Sequence, residues 1–279
     1  MYPACLATFL IAALLPFAAA EQLPAEEASA SDRVVTPTYD DCAGVYGVLY
    51  WISTLQGGSI QDGVYEIKPE TSPSPFPAYC DMTTADGGWT VIQRRFNGSL
   101  NFDRYWADYR DGFGDVDGEY WLGLEKIHKL VSQAHYELYI EIQDWEGNSA
   151  YARYSTFGVG DASGNYRLAI GGYSGDASDC MVQHHNLNGM QFSTRDRDND
   201  MSSALHCAQY HSSGWWHNYC SWGDLNGPYF KPENYRGADT GLGLYWSYWK
   251  GDPNYYYSLK ATKMMVRPAD FRRLAQPNN

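Results

Sequence analysis

The sequence predicts a mixed fold of strands and helix, and two patterns carry that prediction. Residues 136–145, YELYIEIQDW, set Leu138, Ile140 and Ile142 against Glu137, Tyr139 and Glu141, the period-two alternation of a half-buried strand. Residues 118–133, GEYWLGLEKIHKLVSQ, place Leu122, Leu124, Ile127, Leu130 and Val131 at the spacing of an amphipathic helix. The other elements follow in order. GVYEIKP (63–69) alternates and reads as a strand. GGWTVIQRR (87–95) leaves a Gly-Gly turn with Trp89, Val91 and Gln93 on one face. ARYSTFGVG and NYRLAIGGY continue the same sheet, and YYYSLKATKMMVRP (255–268) adds a last strand. Residues 171–254 are dense in Gly, Ser, Asp, Asn, Trp and Tyr with little periodicity. Loops of that length inside a domain are functional or held by staples.

The ends differ in composition from this body. Residues 1–20, MYPACLATFLIAALLPFAAA, carry no charged side chain and end on small residues, the pattern of a secretory signal peptide. Residues 21–38 are rich in Ala, Glu, Ser and Pro without an aromatic and read as a flexible leader. The globular body is expected over 39–268, with a tail at 269–279. No later stretch is apolar enough to span a membrane, so a secreted, extracellular protein is expected. The formal charge of −13 argues against nucleic acid and anionic membrane surfaces as partners.

Of six cysteines, Cys5 falls in the signal segment, leaving Cys42, Cys80, Cys180, Cys207 and Cys220. An oxidising compartment then predicts two disulfides and one leftover thiol. Sequence alone does not choose among the pairings. Short loops favour Cys42–Cys80 and Cys207–Cys220, which leaves Cys180 as a buried thiol or a link between chains.

The stretch STRDRDNDMSSALHC (193–207) raises the question of function. Asp196, Asp198 and Asp200 alternate in a chain that is already acidic, and each close pair costs roughly 1 kcal/mol even in water. A bound cation or a neighbouring arginine relieves that cost. The spacing opens like an EF-hand loop, but Met201 and Cys207 stand where such a loop needs Gly and Glu.

Several segments in order resemble the fibrinogen-related domain: DGVYEIKP, YCDMTTADGGWTVIQRRFNGS, FGDVDGEYWLGLEKIHKL, GNSAYARYSTFGVG, NGMQFSTRDRDND, CAQYHSSGWWHNYC, DLNGPY and MMVRP. The resemblance covers about residues 39–268. It implies an α+β domain: a central twisted antiparallel sheet, a small disulfide-bonded N-terminal subdomain and a loop-rich C-terminal subdomain that binds calcium. It also implies the pairings Cys42–Cys80 and Cys207–Cys220. Carried onto this chain, the family's calcium site takes the side chains of Asp198 and Asp200 and the carbonyls of Ser202 and Ala204. Asp196 supports the loop or pairs with Arg195 or Arg197. One departure stands out: MSSALH separates Asp200 from Cys207 by one residue more than is usual in the family, which bears most on Ala204.

The family's secreted lectins, ficolins and tachylectin-like proteins among them, bind acetylated sugars beside this loop. Their pocket residues fall here on His211, Ser221 and Thr240, so the acetyl pocket is not inherited unchanged. Tyr210, His211, Tyr219, Cys220, Trp222 and Tyr235, with Tyr255, are the candidates for a rebuilt aromatic wall, and Trp215 and Trp216 are expected to be structural. The expected function is a calcium-stabilised lectin of innate immunity recognising acetylated sugars or other glycans on microbial or cell surfaces, with a homo-oligomer as one expected form. The alternative is a secreted ligand that binds a protein receptor through the same subdomain. No catalytic motif emerges: His184-His185 lacks zinc-helix spacing, and the chain holds no HExxH, CxxC or GxSxG. Asn97-Gly98-Ser99 is the sequon for glycosylation.

Overall fold

The computed structural model describes residues 38–183, 186–234, 242–249 and 257–271. The signal segment and almost all of the leader lie outside them. No helix among the described residues is long and apolar enough to cross a membrane.

The strands run β1 (Gly63–Ile67), β2 (Phe76–Asp81), β3 (Trp89–Arg95), β4 (Phe113–Gly114), β5 (Tyr120–Trp121), β6 (Tyr136–Gln143), β7 (Ser149–Val159), β8 (Leu168–Gly175), β9 (Gly223–Asp224), β10 (Tyr245–Trp246) and β11 (Ala261–Pro268). The helices are α1 (Cys42–Gln56), α2 (Trp106–Asp111), α3 (Leu124–Val131) and α4 (Cys207–Tyr210). The main sheet is antiparallel in the order β1-β2-β3-β11-β6-β7-β8, with β4 and β5 branching from β3. β9 and β10 form a separate pair in the loop-rich half. The last strand in the chain therefore sits in the middle of the sheet. Met264 faces Gln93 on one side and Ile140 on the other, so the sheet is complete only when both ends of the domain have met.

The period-two reading of 136–145 holds from Leu138 to Gln143, while Glu137, expected on the polar face, is buried against Arg153 and Arg267. In β6, Leu138, Ile140 and Ile142 are buried, and Tyr139, Glu141 and Gln143 are partly exposed. The helix read over 118–133 is shorter than expected, because two forces break its first turn. Tyr120 and Trp121 are taken by β3, opposite Arg94 and Gln93. Gly123 then turns at φ +105, where a Cβ would lie 2.7 Å from the backbone of Asp111 and Gly112. Helix α3 begins only after it, burying Leu124, Ile127, Leu130 and Val131.

Both expected disulfides form, Cys42–Cys80 and Cys207–Cys220, with Cα separations of 5.4 and 5.1 Å. Cys180 is a buried free thiol whose Sγ donates to the Ser247 carbonyl at 2.8 Å. Burial pushes that thiol up to about 12, away from the thiolate form that exchanges with disulfides. Trp215 and Trp216 are fully buried, as expected of structural residues. Phe271 lies beyond the expected boundary at 268, yet it is buried with its ring 5.3 Å from that of Tyr46.

The sequon forms a turn held by Glu119. Its Oε1 accepts from the amides of Phe96, Asn97 and Gly98 at 2.7–2.9 Å, and Oε2 accepts from Leu100 at 3.1 Å. Gly98 takes φ +72, where a Cβ would strike the Tyr229 ring at 2.3 Å. Burial raises the Glu119 carboxyl, but the four amides outweigh it and hold the group below its ordinary range. Glu119→Ala is expected to cost about 2–4 kcal/mol near neutral pH. Chemical denaturation should show this cost shrinking as the pH falls through the carboxylate range, because a depressed carboxyl stabilises only while ionised.

Candidate functional site

The acidic loop is a tight hairpin built around its own side chains. Thr194 and Arg197 exchange backbone hydrogen bonds across the turn. The Asn199 amide donates to Ser193 Oγ at 3.0 Å, and Asn199 Nδ2 donates to the Phe192 carbonyl at 2.7 Å. Asp196 is exposed but engaged. Its Oδ1 accepts from the Trp106 amide at 2.8 Å and from Thr194 Oγ1 at 2.7 Å, joining the loop to the start of α2. The arginines serve other contacts: Arg195 reaches Asp103 at 2.8 Å, and Arg197 lies 4.1 Å from the Trp106 ring centre. Asp196 therefore anchors the loop through a backbone amide, where an arginine partner was one of the two expectations.

Asp198, exposed, and Asp200, half-buried, form the remaining pair. The Asp200 amide donates to Asp198 Oδ1 at 3.3 Å. Asp200 Oδ1 accepts from the Ser202 amide and Oδ2 from the Cys207 amide, each at 2.8 Å. One carboxylate thus fastens both ends of the loop that precedes the second disulfide. Burial raises the Asp200 carboxyl, and the Asp198 charge raises it further, against the pull of the two amides. A cation between the two carboxylates would reverse that repulsion.

Sequence reasoning missed a third group at this place. His206 offers a ring nitrogen so close to Asp198 and Asp200 that all three donor atoms lie within 4.8 Å of one another. The additional residue before Cys207 was the available signal, since it alters what the loop presents next to the cysteine. Ser202 is half-buried and Ala204 exposed on the same loop.

Beyond the disulfide, the aromatic candidates divide into two groups. His211 is buried and lies within ring contact of Tyr210, His217 and Tyr245, at 5.0, 5.5 and 6.1 Å. Trp222 stacks on Tyr248 at 5.0 Å, in a separate pair. Tyr210 and Tyr219 are exposed, and Cys220 turns at φ +63. Tyr235, Thr240 and Tyr255 lie outside the described residues. Away from this region, a groove of about 380 Å3 opens on the sheet between Arg94, Tyr139, Glu141, Tyr151 and Lys263.

Two polar groups beneath the aromatics were not foreseen. His217 is fully buried, and neither ring nitrogen has a hydrogen-bond partner. Burial and its histidine neighbours hold it well below the ordinary histidine range. Asp224 is fully buried, accepting from the Ser213 hydroxyl and from the Asn226 amide. Burial pushes its carboxyl up to about 7.

With this geometry in view, comparison with known proteins is decisive. The family model for the fibrinogen beta and gamma chains, C-terminal globular domain, matches residues 51–269. The chain belongs to this family. It is 45% identical over 232 residues to human fibrinogen C domain-containing protein 1, covering 81% of this chain and 48% of that protein. It is also 45% identical over 215 residues to human angiopoietin-related protein 1, covering 77% and 42%. The chain thus spans about half the length of the curated relatives it matches. Among solved structures, the fibrinogen-like globe domain of human ANGPTL2 shares 39% identity at a TM-score of 0.72, covering 83% of this chain and 99% of that one. The lamprey fibrin D-dimer, complexed with the peptide Gly-His-Arg-Pro-amide, shares 36% identity at 0.72 over 88% and 77%.

The two buried groups shape the pH dependence in opposite directions. Asp224, raised in the folded state, stabilises below its unfolded range and loses that contribution as pH climbs to about 7. His217, depressed when folded, opposes folding as pH falls below the ordinary histidine range. Thermal unfolding across this window should show Asp224→Asn removing the falling slope and His217→Phe removing the rising one. Parallel profiles for both variants and the parent would contradict these assignments.

Proposed function

We propose that this chain is a secreted, calcium-stabilised lectin, a binding protein rather than an enzyme, that recognises glycans on microbial or cell surfaces. The observation that carries the reading is the linkage through Asp200. The same carboxylate faces the cation position beside Asp198 and holds the amide of Cys207, the first residue of the disulfide that borders the aromatic cluster. Hard oxygen donors from two carboxylates suit calcium, with the Ser202 and Ala204 carbonyls and water completing its six to eight ligands. His206 is a softer donor within reach of the same position. Calcium would act at a distance from the sugar by fixing the loop that shapes the pocket.

The sugar-facing surface in this reading is the exposed Tyr210 and Tyr219 with the buried His211 in ring contact with Tyr210, and Trp222 and Tyr235 close in sequence. Aromatic faces pack against the apolar faces of sugar rings, while their polar tips bond hydroxyls. Because the acetyl-binding positions differ, a specificity shifted away from simple N-acetyl sugars fits these residues. The presence of angiopoietin-related proteins among the relatives favours a second reading, in which the same exposed tyrosines contact a protein receptor. Asn97, exposed in its turn, is the proposed glycosylation position.

Two experiments test this. Calcium is expected to raise the melting temperature of the parent but not of the double variant Asp198→Ala, Asp200→Ala; equal shifts in both would remove the cation from this site. A glycan array run with calcium and with chelator should show binding that chelation weakens at least about tenfold. No binding to any glycan, together with saturable calcium-dependent binding to cells stripped of surface glycans, would favour the receptor reading.

A further inference from the structure

Helix α1 runs for fifteen residues without a charge in an acidic chain. CAGVYGVLYWISTLQ contains no Asp, Glu, Lys or Arg. Its first turn is firmly held. Asp41 caps it, Oδ1 accepting from the Gly44 amide at 2.9 Å while Oδ2 accepts from the Tyr136 hydroxyl at 2.5 Å. Cys42 is tied to Cys80, and Ala43 and Val45 are buried. Tyr46 and Leu49 still touch the core.

The other face touches nothing comparable. Val48, Trp51, Ile52 and Leu55 are 38%, 53%, 45% and 80% exposed. They stand at i, i+3, i+4 and i+7, which on a helix is one continuous stripe. Such a stripe normally faces a core or another helix, and helices of about this length are marginal in water without packing of an apolar face. Together with Tyr50, also exposed, these side chains leave on the order of 500 Å2 of apolar surface in solvent.

We propose that this stripe is a homodimer interface, closed by the same stripe of a second copy of the chain. Four features select that occupant. The stripe complements itself, so a two-fold axis across it pairs each residue with its equivalent set, as closed dimers require. Two apposed faces, Tyr50 included, would bury up to roughly 1,000 Å2, the lower bound for a biological interface. An antiparallel crossing of the helices sends the two folded bodies, each anchored at the first turn of α1, to opposite ends. Other occupants fit poorly. Interfacial membrane helices present Lys and Arg on their polar face, which α1 lacks, and a chain of charge −13 is repelled by anionic lipid. Residues 21–38 are polar, acidic and without aromatics, a poor cover for tryptophan and leucine. Dimerisation here would place two binding surfaces in one particle and raise avidity without any new ligand contact.

Sedimentation velocity of the full secreted chain at micromolar concentration tests the proposal. The parent is expected at twice the monomer mass. Ile52→Glu and Leu55→Glu alter exposed positions, so each should keep the parental melting temperature of the body while weakening self-association at least about 100-fold. Leu55→Ala, which keeps the helix apolar, should weaken it less. A Val48→Cys chain mixed with a Leu55→Cys chain should cross-link to each other in preference to themselves. A parent that is monomeric throughout, a dimer that persists in both glutamate variants, or a monomer that co-sediments with phosphatidylserine vesicles would each overturn the proposal.

Discussion

Irregular backbone buried in a domain has no ladder to satisfy its amides, and in this protein carboxylates do that work. Glu119 takes the four amides of the sequon turn. Asp81 takes those of Thr83 and Thr84, Asp179 that of Val182, Asp196 that of Trp106 and Asp224 that of Asn226. Asp200 takes two, on either side of the loop before the second disulfide. The acidity of the chain is thus partly architectural. A carboxylate accepting amide hydrogen bonds gains charge-assisted interactions that a neutral acceptor does not provide.

The same constraint explains why the two halves of the domain differ in character. Across the sheet, backbone pairs with backbone, and side-chain ions stitch strands together, neighbours and next neighbours alike. Glu137 on β6 bridges Arg153 on β7 and Arg267 on β11, and Lys263 bridges Asp81 and Glu141. In the loop-rich half, side chains set the backbone path, so a change at one carboxylate moves a loop rather than a strand. That is the property a binding surface coupled to a cation requires. Asp200 holds that position, with the proposed cation on one side and the disulfide on the other.

Legibility in the sequence followed the range of the interactions. β6 was readable because alternation is local, and the disulfides because short loops and the family resemblance agreed. The shortening of α3 was not, since it depends on Trp121 pairing with Gln93 and on Gly123 meeting Asp111. Helix α1 escaped notice because its apolar stripe faces outward and its sequence carries none of the charge pattern that marks a surface helix. His206 was hidden by its loop: only the folded hairpin brings it to Asp198 and Asp200. His217 and Asp224 were invisible as buried polar groups because nothing in their neighbours' spacing announces burial. The aromatic residues could be named from the sequence, but which ring packs on which could not. His211 meets Tyr245 and His217, and Trp222 stacks on Tyr248.

The central claim is that a cation at Asp198 and Asp200 governs the order of the segment leading to the second disulfide. Amide hydrogen exchange, measured with saturating calcium and with chelator, reads that order directly. Calcium should slow exchange at Ser202 and Cys207, whose amides Asp200 holds, and at Met201, whose amide donates to the Asn218 carbonyl, while leaving the β6 and β11 amides unchanged. Exchange in this segment that is indifferent to calcium would contradict the account.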